Sequence, residues 1–438
     1  MGYYIGEDVR ANIHTYKYAG EDHSFVSKYI LGPYWNWLVT LFPLSVAPNT
    51  ITLLGLVLIL LNFVSLLALD WKLDNSTSLR VGVLDNFEVP LPVVSMMPNK
   101  GLPSGLDGTP GTMHAVIPPA LLVVWAFSLF MYQSLDSIDG KQARRTRMAG
   151  PLGELFDHGC DALNTTLGTF LVASATGLGR SYWTICALVS AMANFYLTTW
   201  EEFHTHILFL SWFSGPVEGI LLICSIYLMA AAFGGPAFCL SGIWNATGLV
   251  NVSFVREYLA WMNWPISDVL MAFGFAGLLA NAFGAYGNVY ASCKRKGTSV
   301  SEPLLGLVPF VFQCVSNIAW MLGNGQRVFV QGSLFIPFLC FWGLSFAYLV
   351  GLLILSHVAK TRFPFANWLF IPSLIGAVDA WLPQPLLQTS PAAAQGVVYG
   401  ALAMSVLVYG HFVYDVITAI TKETGRPCFR VVRSKDGN

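Results

Sequence analysis

Charge is what this sequence has least of. Aspartate, glutamate, lysine and arginine make up 11% of it, where soluble domains carry about 25%. A chain of 438 residues that is 55% hydrophobic cannot clothe a water-facing surface with so few charges. A wholly soluble fold is therefore excluded. Paired cysteines are missing as well. The eight cysteines are scattered, mostly in apolar segments, with no C-x2-C spacing. Neither a zinc site nor a disulfide framework is indicated. The first residues, MGYYIGEDVRANIH, lack the short apolar core of a cleaved signal. They begin Met-Gly, but Gly6 stands where the myristoylation pattern needs Ser or Thr. No short-period repeat of the solenoid kind is visible. The net charge of −1 identifies no partner.

What is present is a succession of long apolar runs. ITLLGLVLILLNFVSLLAL (51–69) and SYWTICALVSAMANFYLTTW (181–200) contain no charge, and a spanning helix needs about 20 such residues. The pattern predicts an all-α polytopic integral membrane protein with about ten transmembrane helices. They are expected near 50–69, 115–135, 156–177, 181–200, 215–234, 264–290, 305–323, 331–356, 365–382 and 396–419. Residues 9–30 read as an N-terminal interfacial amphipathic helix. The chain then divides into a cytosolic N-terminal segment (1–49), catalytic helices one to five (50–234), helices six to ten (235–419) and a cytosolic tail (420–438). With the N-terminus in the cytosol, most of the 23 lysines and arginines fall on the cytosolic side, as the positive-inside bias requires. The sequons at Asn75, Asn245 and Asn251 then face the lumen. The Pro-, Gly- and Asn-rich loop at 70–114 is expected to be irregular.

Against this apolar background one stretch is dense in charge: SLDSIDGKQARRTRMAGPLGELFDHGCDALN, 134–164. Asp136 and Asp139 are three apart, and Asp157 and Asp161 four apart, so each pair shares a helix face. Gly150-Pro151 breaks the chain between them. Glu154, Asp157, His158, Asp161, Asn164 and Thr165 form one polar stripe on the third span. Lipid does not solvate such a stripe, so it must face the bundle interior or a wet cavity. Carboxylates crowded together need protons or cations. All-oxygen ligands suit a hard cation such as Mg²⁺, and two metals can clamp a phosphoryl centre. Arg144, Arg145 and Lys141 suit a polyphosphate, although Arg145 and Arg147 serve equally as topology determinants.

Residues 136–161 match the pattern D-x2-D-G-x2-A-R-x8-G-x3-D-x3-D at every fixed position, through Asp136, Asp139, Gly140, Ala143, Arg144, Gly153, Asp157 and Asp161. This is the signature of the CDP-alcohol phosphotransferase family. PYWNW, APNTITLLGL and WEEFHTHILFLSWFSGPVEG also resemble the eukaryotic choline/ethanolamine phosphotransferases. The resemblance implies that a diacylglycerol hydroxyl attacks CDP-choline and/or CDP-ethanolamine, releasing CMP and forming a phospholipid. It implies two Mg²⁺ or Mn²⁺ ions on Asp136, Asp139, Asp157 and Asp161. It also implies a nucleotide lying against Gly140 and Ala143, with Arg144 on phosphate. A homodimer in the bilayer of the endoplasmic reticulum or Golgi, with a cytosol-facing site and no nucleic-acid partner, follows from the same source. The remaining alternatives are another acceptor alcohol and, from a different class, a divalent-cation transporter with intramembrane aspartates as its path.

Five further features carry expectations. Asn49 either caps the first span or lies near the nucleotide. Tyr34, Trp35 and Trp37 read as an interfacial belt rather than a cation–π cage. EEFHTH (201–206) reads as a solvated loop rather than a metal site. Glu218 is a lone carboxylate in the first turns of the fifth span, at the depth of the motif. For the base that takes the acceptor's proton, Asp161 is the family's usual candidate. A carboxylate bound to cations is a weak base, so His158 is preferred, with Glu218 orienting it.

Overall fold

The computed structural model describes residues 2–16, 18–73, 117–210, 216–326, 328 and 331–432. Ten long helices dominate: α1 Pro48–Asp70, α2 Pro119–Arg145, α3 Pro151–Ala175, α4 Tyr182–Thr205, α5 Pro216–Phe233, α6 Ile266–Lys296, α7 Val308–Leu322, α8 Gly332–Val358, α9 Phe370–Trp381 and α10 Pro391–Thr424. Proline at the first helical position starts α1, α2, α3 and α10, where its missing N–H costs nothing. Gly425, with φ +66°, ends α10 in the left-handed conformation that glycine adopts without strain.

The chain is an all-α integral membrane protein. Among the described residues six helices are long and apolar enough to cross a bilayer: α1, α2, α6, the run Ser301–Leu322 that includes α7, α8 and α10. Helices α5 and α9 are apolar but short. Helices α3 and α4 are long enough but too polar to qualify, and these two line the cavity described below. Most of the 70–114 loop and the sequon at Asn75 lie outside the described residues. Asn245 sits in the short helix Ile243–Ala246.

Helix α8 is the central post. Its spanning segment is 83% buried, and it is apolar on every side, as a fully enclosed helix must be. It packs against α3, α4 and α10, while α1 packs against α2 and α3, and α2 against α5. Gly343 sets the approach of α8 to α3. A Cβ there would stand 2.5 Å from Thr166 Cγ2. Gly343→Ala is therefore expected to lower stability by about 1–3 kcal/mol, read as a fall in the thermal midpoint of the detergent-solubilised protein.

The N-terminal segment departs from the single helix expected over 9–30. Arg10–His14 forms one short helix, and Gly20–Asp22 (β1) pairs in parallel with Leu208–Leu210 (β2). A π-helical run, Val26–Leu31, then leads into Gly32–Leu38. The partner strand lies far away in sequence, so helical periodicity could not reveal the break. The first residues dock on the far end of the chain. The Tyr4 backbone N–H donates to Asp415 on α10 at 3.0 Å, and the Tyr4 and Tyr348 hydroxyls are 3.1 Å apart. Asn12 donates to the Ala359 carbonyl at 2.9 Å, and Arg10 and His14 reach Glu423 at 3.7 and 3.2 Å.

Candidate active site

The charged motif lies where α2 ends and α3 begins. Arg147, with φ +58°, turns the chain between them. The end of α2 is pinned by side chains. Arg145 donates to the carbonyls of Val39 and Phe42, and Gln142 to those of Pro43 and Val46. Arg145 is thus an anchor for the segment entering α1.

Asp136, Asp157 and Asp161 converge, with one carboxylate oxygen of each within 4.8 Å of the others. Asp161 accepts from the Tyr132 hydroxyl. Asp136 accepts weakly from Gln133 Nε2 at 3.4 Å. Oδ1 of Asp136 and Oδ1 of Asp157 are buried without a hydrogen-bond partner. Asp139 stands outside this triplet, and its carboxylate accepts from Thr52 of α1. None of the four aspartates is ion-paired among the described residues. Three facing carboxylates with two orphaned oxygens are a donor set for a hard divalent cation, so the residues fit the metal that the sequence implies.

The aspartates form one wall of a cavity of about 1120 Å³. The whole polar stripe of α3, from Glu154 through Thr165, faces it. Asn49, Gly140, Ala143 and Arg144 line it too. Asn49 lies inside the first turn of α1, whose cap is Ala47, so the capping alternative is not realised. Its amide donates to the Cys428 sulfur at 3.3 Å. Burial pushes the Cys428 thiol above its ordinary pKa, and the Asn49 contact only partly offsets this. The thiol is therefore neutral in the physiological range. Gly140 leaves its surroundings open, since a Cβ there would meet only the Arg144 guanidinium, at 3.8 Å.

Farther along α3, α4 and α5 the lining turns apolar, through Leu171, Val172, Ala187, Ala191, Ile220 and Ile223. His158 faces the same cavity, and its Nδ1 is buried and unpartnered. Glu218 does not reach it by a hydrogen bond. One Glu218 oxygen accepts from Ser24 of the N-terminal segment, and the other is buried with no partner. The orienting contact expected between Glu218 and His158 is absent among the described residues.

Two other expectations are corrected. EEFHTH is no solvated loop. Helix α4 continues through Thr205, and its period turns Glu201 and Glu202 inward, to 2% and 3% exposure. The aromatic belt is split, with Trp37 outside at 57% exposure and Trp35 buried against the cavity. Sequence reasoning missed Tyr132, Thr52 and Ser24. Tyr132 carried a signal, because it precedes Asp136 by one helical turn.

Comparison with known proteins agrees with this geometry. Residues 111–269 match the family described as CDP-alcohol phosphatidyltransferase. The chain is 32% identical over 423 residues to an uncharacterised class-I member of that family from Schizosaccharomyces pombe, covering 96% of this chain and 95% of the relative. The chain belongs to the CDP-alcohol phosphatidyltransferase family. Within the family it is also similar to two proteins of Saccharomyces cerevisiae. Cholinephosphotransferase 1 is 31% identical, with 96% of each chain covered. Choline/ethanolaminephosphotransferase 1 is 30% identical over 99% of this chain and 100% of the relative. CDP-alcohol phosphatidyltransferases are metal-dependent enzymes that use a CDP-alcohol and a lipid acceptor.

Proposed function

We propose that the protein transfers phosphocholine and/or phosphoethanolamine from a CDP-alcohol to diacylglycerol, releasing CMP and making phosphatidylcholine or phosphatidylethanolamine. One observation carries this reading: a single cavity joins a carboxylate triplet at one end to an apolar arm at the other. A water-soluble diphosphate suits the first and acyl chains the second. Asn49, Gly140 and Ala143 receive the nucleotide, and Arg144 pairs with its phosphate. Two Mg²⁺ or Mn²⁺ ions, held by Asp136, Asp157 and Asp161 with Asp139, would neutralise the diphosphate and stabilise charge developing around phosphorus.

The residues of the chain then handle the acceptor. Its hydroxyl is presented beside His158. The hydroxyl oxygen bonds to the phosphorus that carries the choline or ethanolamine ester. The bond from that phosphorus to CMP breaks, and CMP departs with the electron pair. The acceptor's proton passes to the His158 imidazole, which lines the cavity. Asp161 is the poorer base because Tyr132 already donates to it. Glu218 is held by Ser24, keeps one oxygen free, and sits between Val217 and Gly219, which line the cavity.

Purified protein given radiolabelled CDP-choline or CDP-ethanolamine with diacylglycerol should release CMP only when divalent metal is present. Metal flux into proteoliposomes without CMP release would instead make the protein a transporter.

All ten long helices cross or enter the bilayer in this reading, with both termini and the motif loop in the cytosol, in the endoplasmic reticulum and/or Golgi. The basic run Lys294–Lys296 at the end of α6 supports that orientation. Ala149 is exposed in the motif loop, whereas Thr146 is buried. A cysteine at 149, in a background lacking exposed Cys186, should react with an impermeant maleimide from the cytosolic side of intact vesicles. Labelling from the lumen alone would reverse the topology. We also propose a homodimer. The spanning segments of α6 and α10 are only 6% and 22% buried, which leaves room for a second copy. Cross-linking in native membranes tests it.

A further inference from the structure

A second cluster of ligating side chains lies at the same end of the bundle as the aspartates. Glu154, Glu202 and His357 each bring one ligand atom within 4.8 Å of the other two. They come from the first turn of α3 and the last turns of α4 and α8. Glu154 is 8% and Glu202 3% exposed. Both oxygens of Glu154 are buried with no hydrogen-bond partner, and so is Nδ1 of His357. Buried carboxylates are costly unless paired. The nearby lysines are engaged elsewhere: Lys296 donates to the His204 carbonyl at 3.1 Å, and Lys360 to Thr15 Oγ1 at 2.8 Å.

We propose that Glu154, Glu202 and His357 form a second cation site, separate from the aspartate cluster, that takes a first-row divalent transition metal of the Zn²⁺ class. The donors decide the class. Carboxylates alone favour Mg²⁺, but an imidazole nitrogen beside two carboxylates favours Zn²⁺, Co²⁺ and their neighbours. Two of the three donors sit in the last turns of helices, where the carbonyl ends favour positive charge. Ligand atoms around such an ion lie about 3–4 Å apart, so small rotations of the two glutamates close the site. A cation there would tie α3, α4 and α8 together and fix Glu154 one turn before Asp157. Its role is to hold the entry of α3 in register beside the cavity. The proposal does not depend on which reaction the cavity performs.

The test uses Co²⁺ as the probe. Tag-free, chelator-stripped full-length protein in detergent is given excess Mg²⁺ to occupy the aspartates and then titrated with Co²⁺. The wild type should show the visible absorption of a single bound Co²⁺ per chain, displaced by Zn²⁺. X-ray absorption on that sample should show an imidazole in the shell. Glu202→Gln and His357→Gln should each weaken Co²⁺ binding about 10–100-fold, and Asp136→Asn should not. Zn²⁺ should raise the unfolding temperature of the wild type and of neither variant. No Mg²⁺-resistant uptake, or an oxygen-only shell in the wild type, would overturn the site. So would uptake that both substitutions leave unchanged, or uptake that Asp136→Asn abolishes. If a variant fails to fold, the wild-type absorption shell decides alone.

Discussion

Asp157→Asn is expected to reduce turnover about 10³-fold or more while the protein remains folded. Asp157 faces Asp136 and Asp161, and one of its oxygens has no partner. It therefore contributes little to holding the fold and is free to serve as the cation ligand proposed above. Removing one of several crowded carboxylates relieves repulsion. The metal-free variant should unfold at the same temperature as the wild type or higher. Added Mg²⁺ should stabilise the wild type more than the variant. Asp136→Asn should behave alike. Asp139→Asn should also inactivate, and Thr52→Ala, which removes the hydroxyl donating to Asp139, should give a milder defect. Near wild-type turnover of Asp157→Asn at millimolar Mg²⁺ would sink the metal assignment.

His158→Ala should lose about 10²–10⁴-fold in kcat, the usual contribution of a positioned base. Metal and CDP-alcohol affinities should stay within a few fold, as the proposed role of a base that touches only the acceptor requires. If His158→Ala instead binds metal poorly and recovers at high Mg²⁺, the imidazole supports a carboxylate. The base would then be Asp161, whose carboxylate accepts from the Tyr132 hydroxyl.

Local spacing made the aspartates legible. Three- and four-residue intervals on two helices meeting at Gly150-Pro151 place the carboxylates together, and Asp136, Asp157 and Asp161 do converge. The stripe on α3 was legible for the same reason, because a polar face in an apolar chain has to line a cavity. Thr52, Ser24 and His357 carried no such signal. Each is ordinary in its own segment and gains meaning only from helices packed beside it. The N-terminal segment and EEFHTH were misread for a related reason. The pairing of Gly20–Asp22 with Leu208–Leu210 is non-local. The inward turn of Glu201 and Glu202 depends on α4 running past the end of its apolar stretch. Arg145 shows the limit from another side: its charge suggested phosphate or topology, and it is spent on backbone carbonyls.

The docking of Tyr4, Arg10, Asn12 and His14 onto α8, its flanking residue Ala359 and α10 has a consequence for biosynthesis. Asp415 and Glu423 are synthesised long after the N-terminal residues that dock on them. The aspartate motif is in the membrane long before them. Until α10 has been inserted, Tyr4, Arg10 and His14 lack their partners Asp415 and Glu423, and the segment that follows is held by the β1–β2 pair and by Ser24 on Glu218. A chain truncated before α10 would thus carry every residue of the signature and still lack the docking of its first residues.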